Sequence, residues 1–151
     1  MINQFKKTFG NPEEVVICIG DWEQRKQMKY KEPTLGKGMR TLFRKNNYNV
    51  FLVDEFRTSC KCSNCDGGVC DKFRVRKHPN KKKDEMWLVH GLLRCKSGCG
   101  EWNRDRNGSS NIYKIAYQAI HNLERPSYLC REVKSNQAVL PNCYKQNIHK
   151  V

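Results

Sequence analysis

The sequence has no apolar stretch long enough to cross a membrane. Its run "VVICI", residues 15–19, falls far short of the ~20 residues that a spanning helix needs. The opening "MINQFKKTFGNPEEVV" has no apolar h-region, so no secretory leader is expected there. No basic helix with a wide apolar face is visible, which argues against a membrane-surface protein. Internal repeats are absent too. Hydrophobic residues make up only 38% of the chain, so the core must be small and concentrated in a few segments. Acids are scarce: 15 Asp and Glu stand against 29 Lys and Arg. The expectation is an intracellular protein, in the nucleus or cytoplasm of a host cell, with no membrane partner.

The charge imbalance leaves +14 on a chain of 151 residues, the size of one ordinary domain. A field of that sign attracts polyanions, of which nucleic acid is the commonest. The alternative is a basic surface that serves only solubility. In a reducing compartment, nine cysteines read as metal ligands and free thiols rather than as a disulfide framework.

The order of segments suggests an α/β fold. "VVICIG", 15–20, is a β-branched run suited to a strand covered on both faces. In "MRTLFRKNN", Met39, Leu42 and Phe43 share one helical face. "NVFLVDEF", 49–56, is a second strand. Strand, helix, strand predicts a βαβ unit with parallel strands. Residues 1–14 are polar and mixed, with no element expected. From 58 to 102, cysteine, glycine and basic residues dominate, with one strand expected in "MWLVHGLLRC", 86–95. Ile112, Ile115, Ala116, Ala119 and Ile120 recur at helical spacing, and Pro126 is expected to end that helix. Residues 126–151 show no clear period and are expected to be a loosely ordered tail.

Cys62 and Cys65 form a C-x-x-C pair; Cys95 and Cys99 form a C-x-x-x-C pair. A C-x-x-C turn aims two sulfurs at one metal without straining the backbone, and two such knuckles on facing hairpins make a zinc ribbon. These four cysteines are the expected ligands of a structural Zn²⁺. Cys60 and Cys70 stand close enough to substitute, Cys18 reads as a core residue, and Cys130 and Cys143 stand unpaired in the tail. So small a ribbon needs the metal as part of its folding free energy. Between the knuckles, "KFRVRKHPNKKK", 72–83, carries Lys72, Arg74, Arg76, Lys77, Lys81, Lys82 and Lys83. Such a run is either a solvated loop or a phosphate contact, and the overall charge favours contact. Trp87 and Trp102 suit either base stacking or ribbon packing.

Two acids flank the knuckles. Glu55 follows the second strand and Asp105 begins the last helix. Taken singly, they read as a strand-end charge and a helix cap. A metal that fastens the chain near 62 to the chain near 99 draws them together, as two-metal phosphodiester hydrolysis requires. Asp21, at the end of the first strand, can approach the same edge.

"VDEFRTS", the knuckle of 62–65, "GLLRC" with Cys99, and "NRDRNGSSNI" resemble the C-terminal half of the TnpB and Fanzor nucleases. These are transposon-encoded, RNA-guided DNA endonucleases related to the type V CRISPR effectors. The carrying residues are Thr58, Ser59, Cys62, Cys65, Cys95, Cys99, Arg104, Asp105, Asn111 and Ile112. "IGDW", 19–22, and "GKGMRTLFRK", 36–45, look like the Fanzor branch of eukaryotes and their large viruses. The resemblance implies a partial RNase H-like RuvC domain over 1–57 and 103–125, with a zinc ribbon inserted at 58–102. It implies that Asp105 is the final catalytic acid and Glu55 a second, Gly20 standing where most relatives carry a Glu. Mg²⁺ or Mn²⁺ would be the catalytic ion, and DNA and guide RNA the partners. The family's first catalytic Asp and the leading strands of its sheet precede the segment matched here. A third acid is therefore expected from outside, and this chain alone is expected to be nearly inactive, either as a fragment of a split or decayed reading frame or as one half of a two-chain nuclease. The competing expectation is a zinc-ribbon module that binds nucleic acid without chemistry.

Overall fold

The β-branched run at the start forms β1 (Val16–Gly20), which pairs in parallel with β2 (Asn49–Val53), Ile17 opposite Val50. The computed structural model describes residues 1–21, 36–73, 75–77, 86–131 and 148–150. These fall into two compact units, residues 1–54 with 148–150, and residues 55–131.

In the first unit the connection between the parallel strands contains α2 (Gly36–Lys45). Its Phe43 enters a core with Ile17, Tyr48 and Val50. Buried Arg40 donates from Nη2 to the Gly20 carbonyl at 2.9 Å, fixing α2 against the end of β1. A helix that was not expected, α1 (Ile2–Phe9), closes the other side. Its Ile2, Phe5 and Phe9 recur at helical spacing; the run was too short and too polar to read as an element. Phe5 meets Phe43 and Tyr48 edge-on at 4.8 and 5.4 Å, and Tyr48 Oη donates to the Gly10 carbonyl at 2.9 Å. A short strand late in the chain, Ile148–Lys150, pairs antiparallel with β2. β1 is less covered than expected: Val16 is exposed.

β2 stops at Val53 rather than continuing to residue 56. The Glu55 carbonyl accepts both the backbone N–H and the hydroxyl of Thr58, at 3.1 and 2.9 Å, and Arg57 takes a left-handed φ of 60°. The chain therefore turns directly after the strand.

The second unit carries β3 (Cys70–Asp71), β4 (Val75–Lys77), β5 (Met86–Leu88), β6 (Leu92–Cys95) and β7 (Glu101–Asn103). β3, β6 and β7 form an antiparallel sheet in that order, and β4 pairs with β5 as a separate ribbon. The single strand expected over 86–95 is thus two: a turn at His90–Gly91, closed by the Leu92 N–H on the Val89 carbonyl, divides it. The last helix, α3 (Arg104–Ile120), ends before Asn122, which takes a left-handed φ of 55°. Pro126 does not end that helix; it precedes a 3₁₀ turn, Ser127–Leu129, whose Leu129 is fully buried. Cys130 is disulfide-bonded, against the expectation that it stands unpaired; Cys143 lies outside the described residues. No helix among the described residues is long and apolar enough to cross a membrane.

Candidate metal centre

The two knuckles face each other because β3 joins their hairpins. The first knuckle is held by the bridge between Lys61 and Val69, with the Cys62 N–H on the Gly68 carbonyl at 2.7 Å. The second is the turn between β6 and β7, with the Cys95 N–H on the Gly100 carbonyl at 3.0 Å. Cys70 stands opposite Cys95, and the Lys96 N–H reaches the Val69 carbonyl at 2.9 Å. The sulfurs of Cys62, Cys65, Cys95 and Cys99 consequently lie within 4.8 Å of one another. Among the described residues, this is the one group of three or more His, Cys, Asp or Glu with ligand atoms so gathered.

The spacing suits a tetrahedral ion. A Zn–S bond of about 2.3 Å implies sulfurs ~3.8 Å apart, and Cys65 and Cys95 stand at 3.6 Å. The Asn64 N–H donates to the Cys62 sulfur at 3.4 Å, as the first turn of a knuckle should. Gly68 passes so close beneath the thiols that a Cβ there would lie 2.5 Å from the Cys65 sulfur. Glycine is thus required for the close approach of backbone to the site.

The electrostatics also ask for a cation. Burial pushes the Cys95 thiol up. Backbone N–H groups of Cys99 and Ser97, with the Cys65 and Cys62 thiols, outweigh that and bring it down to about 6. Cys99, hydrogen-bonded to Cys65 and desolvated, is pushed up to about 12. The cluster can hold negative charge, but it cannot ionise every thiol without a positive ion at its centre. Four thiolates can hold a metal ion, and this donor set is consistent with structural zinc. Cys70 is buried beside them, with its thiol pushed up to about 12 by desolvation and then by the charge of Cys62 and Cys95. It stands outside the group of four. Cys60 is exposed. Around the sulfurs, Leu93 is buried and Trp102 packs against the cluster, whereas Trp87 on β5 is 48% exposed.

Sequence reasoning missed what holds the first knuckle to α3. Asn107 and Asn111, one turn apart, are 1% and 0% exposed. Asn107 accepts from the Ser63 N–H at 2.9 Å and donates to the Thr58 and Lys61 carbonyls at 3.2 and 2.7 Å. Asn111 donates to the same two carbonyls, at 2.8 Å each. Asn111 carried part of the family resemblance; Asn107 had no signal except its i, i+4 relation to it.

Asp105 lies in the first turn of α3 and is exposed, but it is not the cap. Asn103 caps the helix, its side-chain oxygen accepting from the Asp105 and Arg106 N–H groups at 2.9 and 3.1 Å. The Asp105 carboxylate is therefore not engaged in capping. Glu55 is half-buried at the start of the same unit. Of the basic run, Lys72, directly after β3, and Lys77, the last residue of β4, are exposed. Lys72 Nζ donates to His90 Nδ1 at 2.8 Å. The backbone of Arg76 belongs to β4, while Arg74, Lys81, Lys82 and Lys83 lie outside the described residues.

These features define a basic, mixed α/β protein with small sheets and a four-cysteine centre that can bind a metal. Residues 40–112 match the family model described as "Cas12f1-like, TNB domain", a stretch that contains the four cysteines, Glu55, Asp105, Asn107 and Asn111. The match supports a TnpB-type nucleic-acid-binding protein. A comparison with curated proteins found no match.

Proposed function

We propose that the chain acts as the zinc-bearing, nucleic-acid-contacting portion of a TnpB-type RNA-guided DNA endonuclease of the Fanzor branch. The observation that carries this reading is the family match, which falls on the segment that builds the four-cysteine centre. In this reading Cys62, Cys65, Cys95 and Cys99 hold structural Zn²⁺, and Lys72, Arg74, Arg76, Lys77, Lys81, Lys82 and Lys83 contact phosphates along the ribbon between the knuckles. The parallel pair β1–β2, joined through α2, supports an RNase H-like RuvC reading of the first unit.

Glu55 and Asp105 are the acids proposed to hold Mg²⁺ or Mn²⁺ for phosphodiester hydrolysis, in which such ions activate water and stabilise the leaving oxygen. A chain of hydrogen bonds favours a fixed relation between their backbones. Thr58 binds the Glu55 carbonyl, and its own carbonyl is held by Asn107 and Asn111 on the helix whose first turn carries Asp105. One observation favours the alternative, a binding module without chemistry: the gathered ligand group among the described residues contains no carboxylate.

Mn²⁺ binding to the zinc-loaded protein separates the two. Under the nuclease reading, Glu55→Gln and Asp105→Asn each weaken Mn²⁺ binding, followed by electron paramagnetic resonance, at unchanged zinc content. Equal Mn²⁺ affinity in wild type and both variants would leave only the binding module.

A further inference from the structure

Beside the first knuckle lies a recess of about 520 Å³ within the second unit. Its size is ordinary for a small-molecule or single-nucleotide site. Three elements build it: Asp66 of the knuckle; Tyr113, Lys114, Tyr117 and Gln118 of α3; and Tyr128 of the 3₁₀ turn. Tyr128 lies directly against the knuckle backbone, since a Cβ on Gly67 would stand 2.8 Å from the Tyr128 Cβ. Gly67 holds a left-handed φ of 89°, so glycine serves both the turn and the contact.

The lining is unusual for a surface whose only task is solubility. Tyr113 and Tyr117 are 67% and 47% exposed. They continue a row of rings along α3, with centroids 6.0 Å apart for Tyr113–Tyr117 and 4.3 Å for Tyr117–His121. Aromatic faces left open to water on a +14 chain match the platforms on which unpaired bases stack, because every base offers a π-face. Lys114 supplies a cation for the phosphate that accompanies the base. Asp66 is an acceptor and cannot donate when ionised. The Gln118 side-chain oxygen has no hydrogen-bond partner among the described residues. An apolar peptide laid over exposed Asp66 would strip water from its carboxylate and offer no donor, whereas the amino groups of adenine, cytosine or guanine offer one.

We infer that this recess takes one unpaired, amino-bearing base of a single-stranded nucleic acid, stacked on Tyr113, Tyr117 or Tyr128 and held at its edge by Asp66. The inference rests on the nucleic-acid reading above and deepens it, adding a base-contacting site to one that sees only phosphates.

The test uses the full zinc-loaded chain and fluorescence anisotropy with short oligonucleotides. One set is all thymine, and others carry a single central adenine, cytosine or guanine, each made as DNA and, with uracil for thymine, as RNA. Both tyrosines to be changed are exposed, so zinc content and melting temperature should match wild type. Tyr113→Ala and Tyr117→Ala are expected to lower single-strand affinity on the order of 10-fold each, with duplex affinity unchanged. Asp66→Asn is expected to level the preference for the amino-bearing base over thymine or uracil. The ratio of DNA to RNA affinity identifies the source of the strand.

Wild-type affinity in both tyrosine variants overturns the base site and leaves the recess to a protein segment. If those variants bind normally while Lys72→Ala and Lys77→Ala bind weakly, only the base site fails. If wild type shows no salt-dependent binding to any oligonucleotide, the nucleic-acid reading itself fails.

Discussion

Asn107 donates from its side-chain amide to the Lys61 carbonyl at 2.7 Å, joining the first turn of α3 to the residue before the first metal-site cysteine, 46 positions away. Asn111 reaches the same carbonyl from the next turn. The two amides share their acceptors, but only Asn107 also accepts the Ser63 N–H. Asn107→Ala should therefore cost the more of the two, on the order of 1 kcal/mol, because it takes the acceptor from the part-buried Ser63 N–H. The double variant should cost more than the sum, because only then do both carbonyls lose every side-chain donor. Urea unfolding of the zinc-loaded protein checks this; simple additivity would show that the amides act independently.

Gly68→Ala should damage the metal centre without touching a ligand. Its new Cβ would stand 2.5 Å from the Cys65 sulfur and 3.3 Å from that of Cys95. Displaced thiols hold metal less tightly, on the order of the 10- to 100-fold seen for residues that orient ligands. Competition with a chromogenic chelator measures it. Gly91→Ala is the control, since a Cβ there meets nothing within 4 Å.

Metal affinity should rise with pH. Without metal, Cys99 keeps its proton up to about 12, so binding near pH 7 must displace that proton. Cys95 is already ionised above about 6 and gives up none there. Below 6 it too is protonated, so another displaced proton steepens the fall in affinity. A pH series of Co²⁺ titrations, read from the thiolate absorption bands, should show a steeper slope below 6 than above it.

Lys72→Ala should weaken nucleic-acid binding with little regard to sequence. Each lost phosphate contact should lower the salt slope by about 0.7 on single strands and 0.9 on duplex. Lys72 also donates to His90, so His90→Ala tests whether that hydrogen bond matters for placing the cation. An unchanged slope in Lys72→Ala would remove this lysine from the interface.

The strongest local patterns were legible in the sequence. The β-branched runs became β1 and β2 in parallel, and the spaced apolar residues became α2 and α3. The two cysteine pairs came together, because knuckle spacing is a local property that survives whatever surrounds it. Less could be read where neighbours decide. α1 exists because Phe5 finds Phe43 and Tyr48. The divided strand at 86–95 reflects a turn whose only marker was His90–Gly91.

By itself, then, the sequence determined the charge, the cysteine spacing and the periodic faces, since each depends on residues a few positions apart. Only the tertiary structure decided that Asn103 rather than Asp105 caps α3, and that two buried asparagines tie that helix to the knuckle. It alone placed Tyr128 against Gly67 to wall a recess. Those features are contacts between distant segments, and a polar side chain's partner is set by which carbonyl or amide the fold leaves in need of one.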